Sequence, residues 1–406
     1  MLKELELENF KGFKKATLKL GNFTLLVGAN GSGKSSIRDA FRFLHGISRG
    51  YTVSEIMGEK YGDGGERVWR GIRGGANGAS FQGIGTFAIK VKFTIQDPQR
   101  HKSLDATYRI EIDCATPKVQ DEWLEIEGSR ILQHSENANL YQPLLSQLNG
   151  RTTVANGSCQ EKYVSASLAA FSKMRFFSFS PEVMRRFSLP GRTILGDQGE
   201  NLSSVLQHLC SDPMNKYIFV NALKELTPMS VQDIEFFELP DGRILLTLIE
   251  ENGYRTTAYT ASDGTLRFLA LMAALFEPAG FYFFEELENG FYPARMHLLL
   301  DLIERQTAQH TVQVVASSHS AHLLNIANPT TLESASFIYR LPEHTSARIK
   351  QILSIPQARR VMTKPNIARL HAAGWLEHAV FFQDEEEEEV CQRIGSGLAD
   401  GCGAVS

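Results

Sequence analysis

The sequence predicts an α/β fold with a mixed central sheet, an antiparallel β subdomain and a helical lobe. An apolar run over residues 23–27 is followed by a glycine-rich turn and by a helix-compatible segment over residues 36–44. From residue 266 onward, helix-like and strand-like segments alternate, which indicates a largely parallel sheet. Residues 86–133 alternate apolar and polar side chains, as antiparallel strands do.

The first half of the chain is predicted to contain strands, one long loop and a helical region. An apolar alternation from Leu5 to Leu20 predicts that two or three strands precede the glycine-rich turn. Residues 58–85 are rich in glycine and arginine, which predicts a surface loop. Residues 134–172 are polar and weakly patterned, whereas residues 201–226 carry apolar side chains at helical spacing.

The second half is predicted to complete the sheet. Its helices and strands are inferred from apolar runs whose lengths suit each element. The predicted elements are a strand at 243–249, a buried helix at 266–276, a strand at 281–285, a helix at 294–306, a strand at 312–316, a hairpin from 337–339 and 347–352, and a short amphipathic helix at 366–375. No heptad series lies between the glycine-rich turn and residue 260, which argues against a long coiled coil.

Composition excludes several classes of protein. With 406 residues and 43% hydrophobic side chains, the chain is long enough for a large globular core. Its net charge of -4 provides no global basic field, so binding to nucleic acid would depend on local patches. The five cysteines form no C-x-x-C pair, which favours a reducing, cytoplasmic compartment. No signal peptide or membrane span is predicted, because charged residues interrupt every long apolar region.

Residues 28–35 read Gly-Ala-Asn-Gly-Ser-Gly-Lys-Ser, which matches the G-x-x-x-x-G-K-S phosphate loop. The motif lies between a predicted strand and a predicted helix, as it must if it is to bind phosphate. Glycines let backbone N–H groups approach phosphate, and a helix N-terminus favours negative charge. In this reading Lys34 contacts the β- and γ-phosphates and the Ser35 hydroxyl binds Mg²⁺.

Polar residues follow two predicted strands of the second half. Glu285 and Glu286 come directly after residues 281–284, and His319 follows residues 312–316 closely. Side chains at the carboxyl ends of parallel strands lie where ligands bind in open α/β sheets. One carboxylate would hold Mg²⁺ and the other would orient or deprotonate water, while the histidine would sense the γ-phosphate. Ordinary surface acids and a structural histidine are the alternative.

Residues 261–265 read Ala-Ser-Asp-Gly-Thr and precede the predicted buried helix. Ser262 or Asp263 is a good N-cap, so an ordinary capped core helix is one interpretation. Taken together with the other motifs in their order, the chain resembles the ATP-binding-cassette heads of the structural-maintenance-of-chromosomes (SMC) and RecF-like superfamily. Residues 5–13, Leu-Glu-Leu-Glu-Asn-Phe-Lys-Gly-Phe, also resemble the first strand and turn of that family.

The resemblance implies an ATPase head with the P-loop NTPase fold that uses ATP and Mg²⁺. The implied catalytic residues are Lys34, Glu286 and His319, and the implied metal ligands are Ser35 and Glu285. The implied nucleotide-binding residues are Asn30, Gly31, Ser32, Gly33, Lys34, Ser35, Ser36, Ser262, Asp263 and Gly264. In this family two heads enclose two ATP molecules, and each signature motif caps the ATP of the partner. We therefore expect a homodimer, in which residues 262–265 act on the second copy's ATP.

The resemblance also implies a domain layout. Residues 1–380 would form the head, with a nucleotide-binding core (1–57 and 230–380), a glycine-rich loop and antiparallel β region (58–133) and a mostly helical lobe (134–229). Residues 381–406 would form an acidic, glycine-rich and disordered tail. The chain departs from the family pattern at Glu285, where Asp is usual, and at Tyr292, where His is common. No glutamine is assigned to the Q-loop, for which the stretch near Ser180 is the candidate.

Four functions remain open from sequence. The first is a DNA-acting switch in repair or anti-phage defence, with phosphate contacts from basic residues: Lys11, Lys14, Lys15, Lys19, Arg185, Arg186 and the arginines of residues 58–85. The second is a scaffold or sensor that holds a separate effector protein, in which case those cations are a solvated face. A nuclease fused to the ATPase is a third, although residues 384–389 are a charge run without metal-ligand spacing. A membrane transporter subunit is the fourth and fits least.

Overall fold

The computed structural model describes residues 1–97, 102–133, 141–147, 159–227, 229–276, 280–309, 312–320, 322–341, 344–355, 358 and 380. Its strands are β1 (Leu2–Phe10), β2 (Phe13–Lys19), β3 (Phe23–Val27), β4 (Lys60–Tyr61), β5 (Arg67–Trp69), β6 (Thr86–Gln96), β7 (Ser103–Asp113), β8 (Lys118–Ile126), β9 (Ser129–Gln133), β10 (Met174–Phe177), β11 (Val231–Glu238), β12 (Ile244–Glu250), β13 (Arg255–Thr257), β14 (Gly280–Phe284), β15 (Val312–Ser318), β16 (Ser336–Tyr339) and β17 (Arg348–Gln351). Its α-helices are α1 (Lys34–Ser48), α2 (Val53–Met57), α3 (Leu144–Gln147), α4 (Cys159–Ser172), α5 (Pro181–Met184), α6 (Leu202–Leu209), α7 (Pro213–Leu226), α8 (Asp263–Phe276), α9 (Met296–Ala308), α10 (His322–Ile326) and α11 (Pro329–Ser334).

A six-stranded sheet in the order β10-β14-β15-β3-β16-β17 forms the centre of the fold. The first five strands run parallel, and β17 pairs antiparallel with β16. The run of buried aromatic residues in β14 and the fully buried β3 fit a sheet covered on both faces. Because Ser318 is in register with Val27, the carboxyl ends of β3 and β15 meet at one edge.

A second six-stranded sheet, in the order β2-β1-β6-β7-β8-β9, is antiparallel throughout. Helix α1 lies between the two large sheets. Phe41 packs against Phe281 of the parallel sheet with ring centroids 4.7 Å apart, and Phe43 packs against Phe87 of the antiparallel sheet at 5.5 Å. The helix that follows the phosphate loop is therefore fixed from both sides, which holds its N-terminus in place.

Three segments lie elsewhere than the sequence predicts. β1 and β2 were expected in the nucleotide-binding core, but they belong to the antiparallel sheet because β1 pairs with β6 over most of its length. β10 falls within the predicted helical lobe (134–229), yet it pairs with β14 in the parallel sheet. Residues 58–85 form a β4–β5 hairpin and two short 3₁₀ turns rather than only a surface loop, and Trp69 is 5% exposed.

Most other predicted elements are confirmed within a few residues. Three strands precede the phosphate loop, and β16 and β17 form the expected hairpin. The helical stretch predicted at 201–226 is two helices, because Asp212 caps a new helix whose first residue is Pro213. In α8, Ser262 is the N-cap, since its hydroxyl accepts a hydrogen bond from the N–H of Thr265 at 3.1 Å. The predicted helix at 366–375 and the tail at 381–406 lie outside the described residues.

Glu122 is a buried carboxyl in the antiparallel sheet and predicts a pH-dependent stability. It accepts hydrogen bonds from the Tyr108 hydroxyl (2.8 Å) and the N–H groups of Leu144 and Leu145, while burial raises its pKa to about 7. Folding thus favours the protonated form, so its contribution is complete below pH 4.5 and lost as pH rises through about 7. The loss is of order 3 kcal/mol. We expect urea unfolding of Glu122→Gln to show less decline between pH 5 and pH 8 than the wild type.

The matched control for this prediction is Glu125→Gln on the same strand, because the Glu125 side chain is 33% exposed. That variant should keep the wild-type pH dependence. Equal pH dependence in the wild type and Glu122→Gln would contradict the assignment.

Candidate nucleotide-binding site

Three strand ends and one loop form a polar cavity at the carboxyl edge of the parallel sheet. β3, β14 and β15 run parallel, so the residues that follow them meet there. The cavity has a volume of about 330 Å³. Its lining residues are Asn30, Gly31, Ser32, Gly33, Lys34, Ser35, Ser36, Arg73, Glu285, Glu286, Ser317 and His319. The sequence predicts all of them except Arg73 and Ser317.

Two glycines of the phosphate loop are required by its backbone path. Gly33 has φ 117°, a conformation that side chains disfavour. At Gly28 a Cβ would lie 2.1 Å from the carbonyl oxygen of Ile338, so the neighbouring strand leaves no room. Ser32 is buried, and its Oγ has no hydrogen-bond partner in the described structure. A buried hydroxyl without a partner is costly, and a phosphate oxygen would satisfy it.

Lys34 begins α1 and is 5% exposed. Its ammonium donates to the carbonyl oxygens of Gly28 and Ala29, the latter at 2.8 Å, and lies 3.0 Å from Nδ1 of His319. Burial lowers the pKa of Lys34 to about 8, although Glu288 and Glu286 oppose that shift. The cation is therefore held at the phosphate loop, and an anion at the site would favour its charged form.

Glu286 has a left-handed backbone, with φ 52°, which is uncommon for a residue with a side chain. Its N–H donates to the Ser317 hydroxyl at 3.2 Å. Its carboxylate accepts a hydrogen bond from the Asn289 amide and lies 3.4 Å from Nε2 of His319. The turn after β14 thus directs Glu286 into the cavity at a cost in backbone strain, as often occurs at functional sites.

His319 lies between the phosphate loop and the carboxylates, one residue after β15. Its backbone N–H donates to the Glu288 carboxylate at 2.6 Å, and its ring Nδ1 is 3.2 Å from the carbonyl oxygen of Gly28. The imidazole therefore connects Lys34 on one side with Glu286 on the other. Sequence order predicted this neighbourhood, but the contact of Glu288 with the His319 backbone was not foreseen.

Glu285 forms an ion pair with Arg38, one turn into α1. Arg38 also pairs with Asp39 at 3.0 Å, and Asp39 is fully buried. Lys11 is 2.5 Å from the same carboxylate, and Arg73 is 3.7 Å from it. The roles of Arg38 and Asp39 were missed from the sequence, because charged residues on the helix after the phosphate loop carry no motif. Arg73 comes from the loop after β5, and the sequence did not indicate its contact with Asp39.

The candidate DNA contacts change with this geometry. Lys11 is committed to the buried Asp39, so it is not the free surface cation expected from sequence. Arg185 donates to Asp263 at 2.6 Å, and Arg186 pairs with Glu182 at 3.2 Å.

Ser262, Asp263 and Gly264 lie outside the cavity that the other predicted residues form. They begin α8, whose apolar residues are buried in the core. A Cβ at Gly264 would lie 2.3 Å from the carbonyl oxygen of Gly290, so this helix start packs against the loop that follows Glu286. A shift of the α8 start would therefore displace the loop at Gly290, and the reverse also holds.

Comparison with known proteins agrees with the geometry. A family model described as "AAA ATPase domain" matches residues 1–167, and one described as "AAA domain, putative AbiEii toxin, Type IV TA system" matches residues 155–325. Structural maintenance of chromosomes protein 1 of Saccharomyces cerevisiae is 28% identical over 167 residues, which are 37% of this chain and 13% of that protein. The chromosome partition protein Smc of Methanocaldococcus jannaschii is 54% identical over 46 residues, which are 11% of this chain and 4% of that protein.

Over these matched residues the chain resembles an SMC-like ATPase head. Among solved structures, an Smc head bound to the C-winged helix domain of ScpA superposes with a TM-score of 0.49 at 16% identity, over 86% of this chain and 96% of that one. The head spans only a small part of the two relatives' length. Heads of this class generally bind ATP with Mg²⁺ and hydrolyse it.

Two further features of the head bear on function. Among the described residues, no helix is long and apolar enough to cross a membrane. The same residues contain no cluster of three or more acidic, histidine or cysteine side chains arranged for a metal ion. The acidic run at 384–389 lies outside the described part of the chain.

Proposed function

We propose that this head is an ATP-driven switch that closes on a second copy of itself. The observation that carries the proposal is the polar cavity, where a phosphate loop, two carboxylates and a histidine from distant segments meet. Its volume of about 330 Å³ lies within the range of small-molecule sites. The unpartnered Ser32 hydroxyl and the α1 N-terminus suit the phosphates of ATP.

Ser35 and Glu285 are the residues that would hold Mg²⁺, because hydroxyl and carboxylate oxygens are ligands that this cation prefers. Bound there, the cation would neutralise negative charge on the phosphates. Glu285 already pairs with Arg38, so its carboxylate would be shared or released when the site is loaded. Lys34 would exchange its contacts with loop carbonyls for contacts with phosphate oxygens.

Glu286 would take a proton from the attacking water. The Asn289 amide and His319 hold its carboxylate, and the Ser317 hydroxyl holds its backbone. His319, which also contacts Lys34, would report whether the γ-phosphate is present. Hydrolysis would then change the contacts of His319 and Glu286 together, which supplies the switch.

Ser262, Asp263 and Gly264 are assigned to the ATP of the partner copy. They start an α-helix with exposed residues at its N-terminus and line no part of their own cavity. A helix N-terminus with free backbone N–H groups stabilises phosphate. In a closed homodimer each site would therefore join Lys34 and Glu286 of one copy to residues 262–264 of the other.

For the cellular role we propose a cytoplasmic switch in DNA repair or anti-phage defence. The toxin–antitoxin description of the model that matches residues 155–325 favours the version in which the head controls a separate effector protein. The ion pairs of Lys11, Arg185 and Arg186 leave fewer cations for DNA, whereas Lys14, Lys15 and Lys19 are exposed on β2. Salt-dependent DNA affinity that Lys14→Gln/Lys15→Gln weakens would favour DNA.

We expect Glu286→Gln to double its molar mass in light scattering when ATP and Mg²⁺ are added. The variant keeps the nucleotide contacts but removes the general base, so closed dimers should accumulate. Lys34→Ala, which removes the main phosphate cation, should stay at one mass with and without ATP. An unchanged mass of Glu286→Gln at saturating ATP would overturn the dimer proposal.

A further inference from the structure

A second cavity, of about 610 Å³, adjoins the nucleotide cavity and is lined by α1 and by the loop that follows β5. It contains none of the phosphate-loop residues and shares only Arg73 and Glu285 with the first cavity. Five arginines and two glutamates are among its lining residues: Arg38, Arg42, Arg67, Arg70, Arg73, Glu59 and Glu285. Its lining therefore carries an excess of positive charge.

Four of these arginines lie near a carboxylate, and Arg42 is as far from Asp197 as Arg73 is from Asp39. Arg38 contacts Glu285 and Asp39, Arg67 contacts Glu59 at 2.8 Å, and Arg73 lies 3.7 Å from Asp39. The glutamates of the lining are used in these pairs. Arg42 and Arg70 are therefore the arginines of the lining that have the most capacity left to bind an anion.

The Arg42 side chain is held in place by its neighbours, but its hydrogen-bonding capacity is not fully used. Its side chain is 10% exposed, and its guanidinium lies 5.1 Å from the Trp69 ring centroid and 5.6 Å from that of Phe176. Its closest carboxylate, Asp197, is 3.7 Å away. Its Nε–H is buried and has no hydrogen-bond partner in the described structure. Leaving such a donor unpaired is unfavourable.

Arg70 lines the same cavity from the loop after β5. It is exposed and has no ion-pair partner among the described residues. Burial, together with the charges of Arg38 and Arg70, lowers the pKa of Arg42, with Asp197 and Asp39 opposing the shift. Repulsion between cations held this close would be relieved by an anion.

We propose that this cavity binds a small ligand through a phosphate group, with Arg42 and Arg70 as its main contacts. A phosphate offers several acceptor oxygens to guanidinium donors, which suit it better than a single carboxylate does. The cavity volume is in the range for a small organic ligand, so the phosphate is free inorganic phosphate or belongs to a nucleoside monophosphate. The cavity contains no phosphate-loop residue, although it shares Arg73 and Glu285 with the nucleotide cavity.

The test is titration calorimetry on the full chain, with the ATP site filled by a non-hydrolysable ATP analogue and Mg²⁺. The probes are inorganic phosphate, AMP and a short single-stranded oligonucleotide. We expect phosphate or AMP to bind, with Arg70→Gln weakening that binding at least fivefold. Arg49→Gln, which removes an exposed arginine of the same helical region outside the cavity, should bind as the wild type does.

Arg42→Gln is the second variant and should also weaken binding, provided that its unfolding curve shows a folded protein. Tighter binding of AMP than of phosphate would identify a phosphomonoester as the ligand, and the reverse would identify free phosphate. No binding heat from either small probe, or binding that Arg70→Gln leaves unchanged, would overturn the proposal. Binding of the oligonucleotide alone would also overturn it.

Discussion

Glu286→Gln is expected to reduce ATP hydrolysis by about 100-fold or more while ATP binding is kept. The amide cannot accept a proton from water, yet it has the same shape and can keep its contacts with Asn289 and His319. Lys34 and the phosphate loop are unchanged, so affinity should stay within about threefold of the wild type. Phosphate release measured at saturating ATP, with a separate nucleotide-binding titration, checks both statements.

The matched control for this prediction is Glu225→Gln, an exposed glutamate of α7 outside the nucleotide cavity. It should hydrolyse ATP at the wild-type rate. If Glu286→Gln retained more than about a tenth of the wild-type turnover, Glu286 would be a positioning residue and not the base. A loss of ATP binding together with activity would instead indicate that the strained turn had collapsed.

The order of the motifs was sufficient to predict which segments meet at the nucleotide cavity, because the phosphate loop, the two carboxylates and His319 each follow a strand of one sheet. Residues 28–36 lie about 250 positions before the two carboxylates and His319, but parallel strands place their carboxyl ends at one edge. A motif at such an end has little freedom in where it lies. The same argument could not place Arg73, which reaches the cavity from a loop whose path depends on tertiary packing.

The misplaced strands have a different explanation. β10 is only four residues long, so no periodicity marks it, and its pairing with β14 is a contact between distant segments. β1 alternates as any strand does, and its pattern cannot show that its partner is β6. The role of Lys11 was missed for a similar reason. It pairs with the fully buried Asp39, which belongs to no recognisable sequence motif.

Mixing two inactive variants should restore hydrolysis if the sites are shared between two copies. Lys34→Ala damages the phosphate contact of its own copy, and Ser262→Asp places a negative charge where the partner's phosphate would bind. Each variant alone carries two damaged sites, so hydrolysis should fall at least tenfold. Each mixed dimer would hold one intact site, so an equal mixture should regain activity, up to the quarter of the wild-type rate that random pairing would give.

The choice of substitution separates repulsion from misfolding. Aspartate is as good an N-cap as serine. Ser262→Asp therefore keeps a side-chain oxygen for the N–H of Thr265, which now donates to the Ser262 hydroxyl at 3.1 Å. Asparagine has the shape of aspartate without its charge. Ser262→Asn should therefore retain several-fold more activity than Ser262→Asp. A mixture no more active than its two parents, or a Ser262→Asp variant as active as the wild type, would mean that residues 262–264 do not act on a partner's nucleotide. The helix start would then be an ordinary cap on the buried α8, which its packing alone would explain.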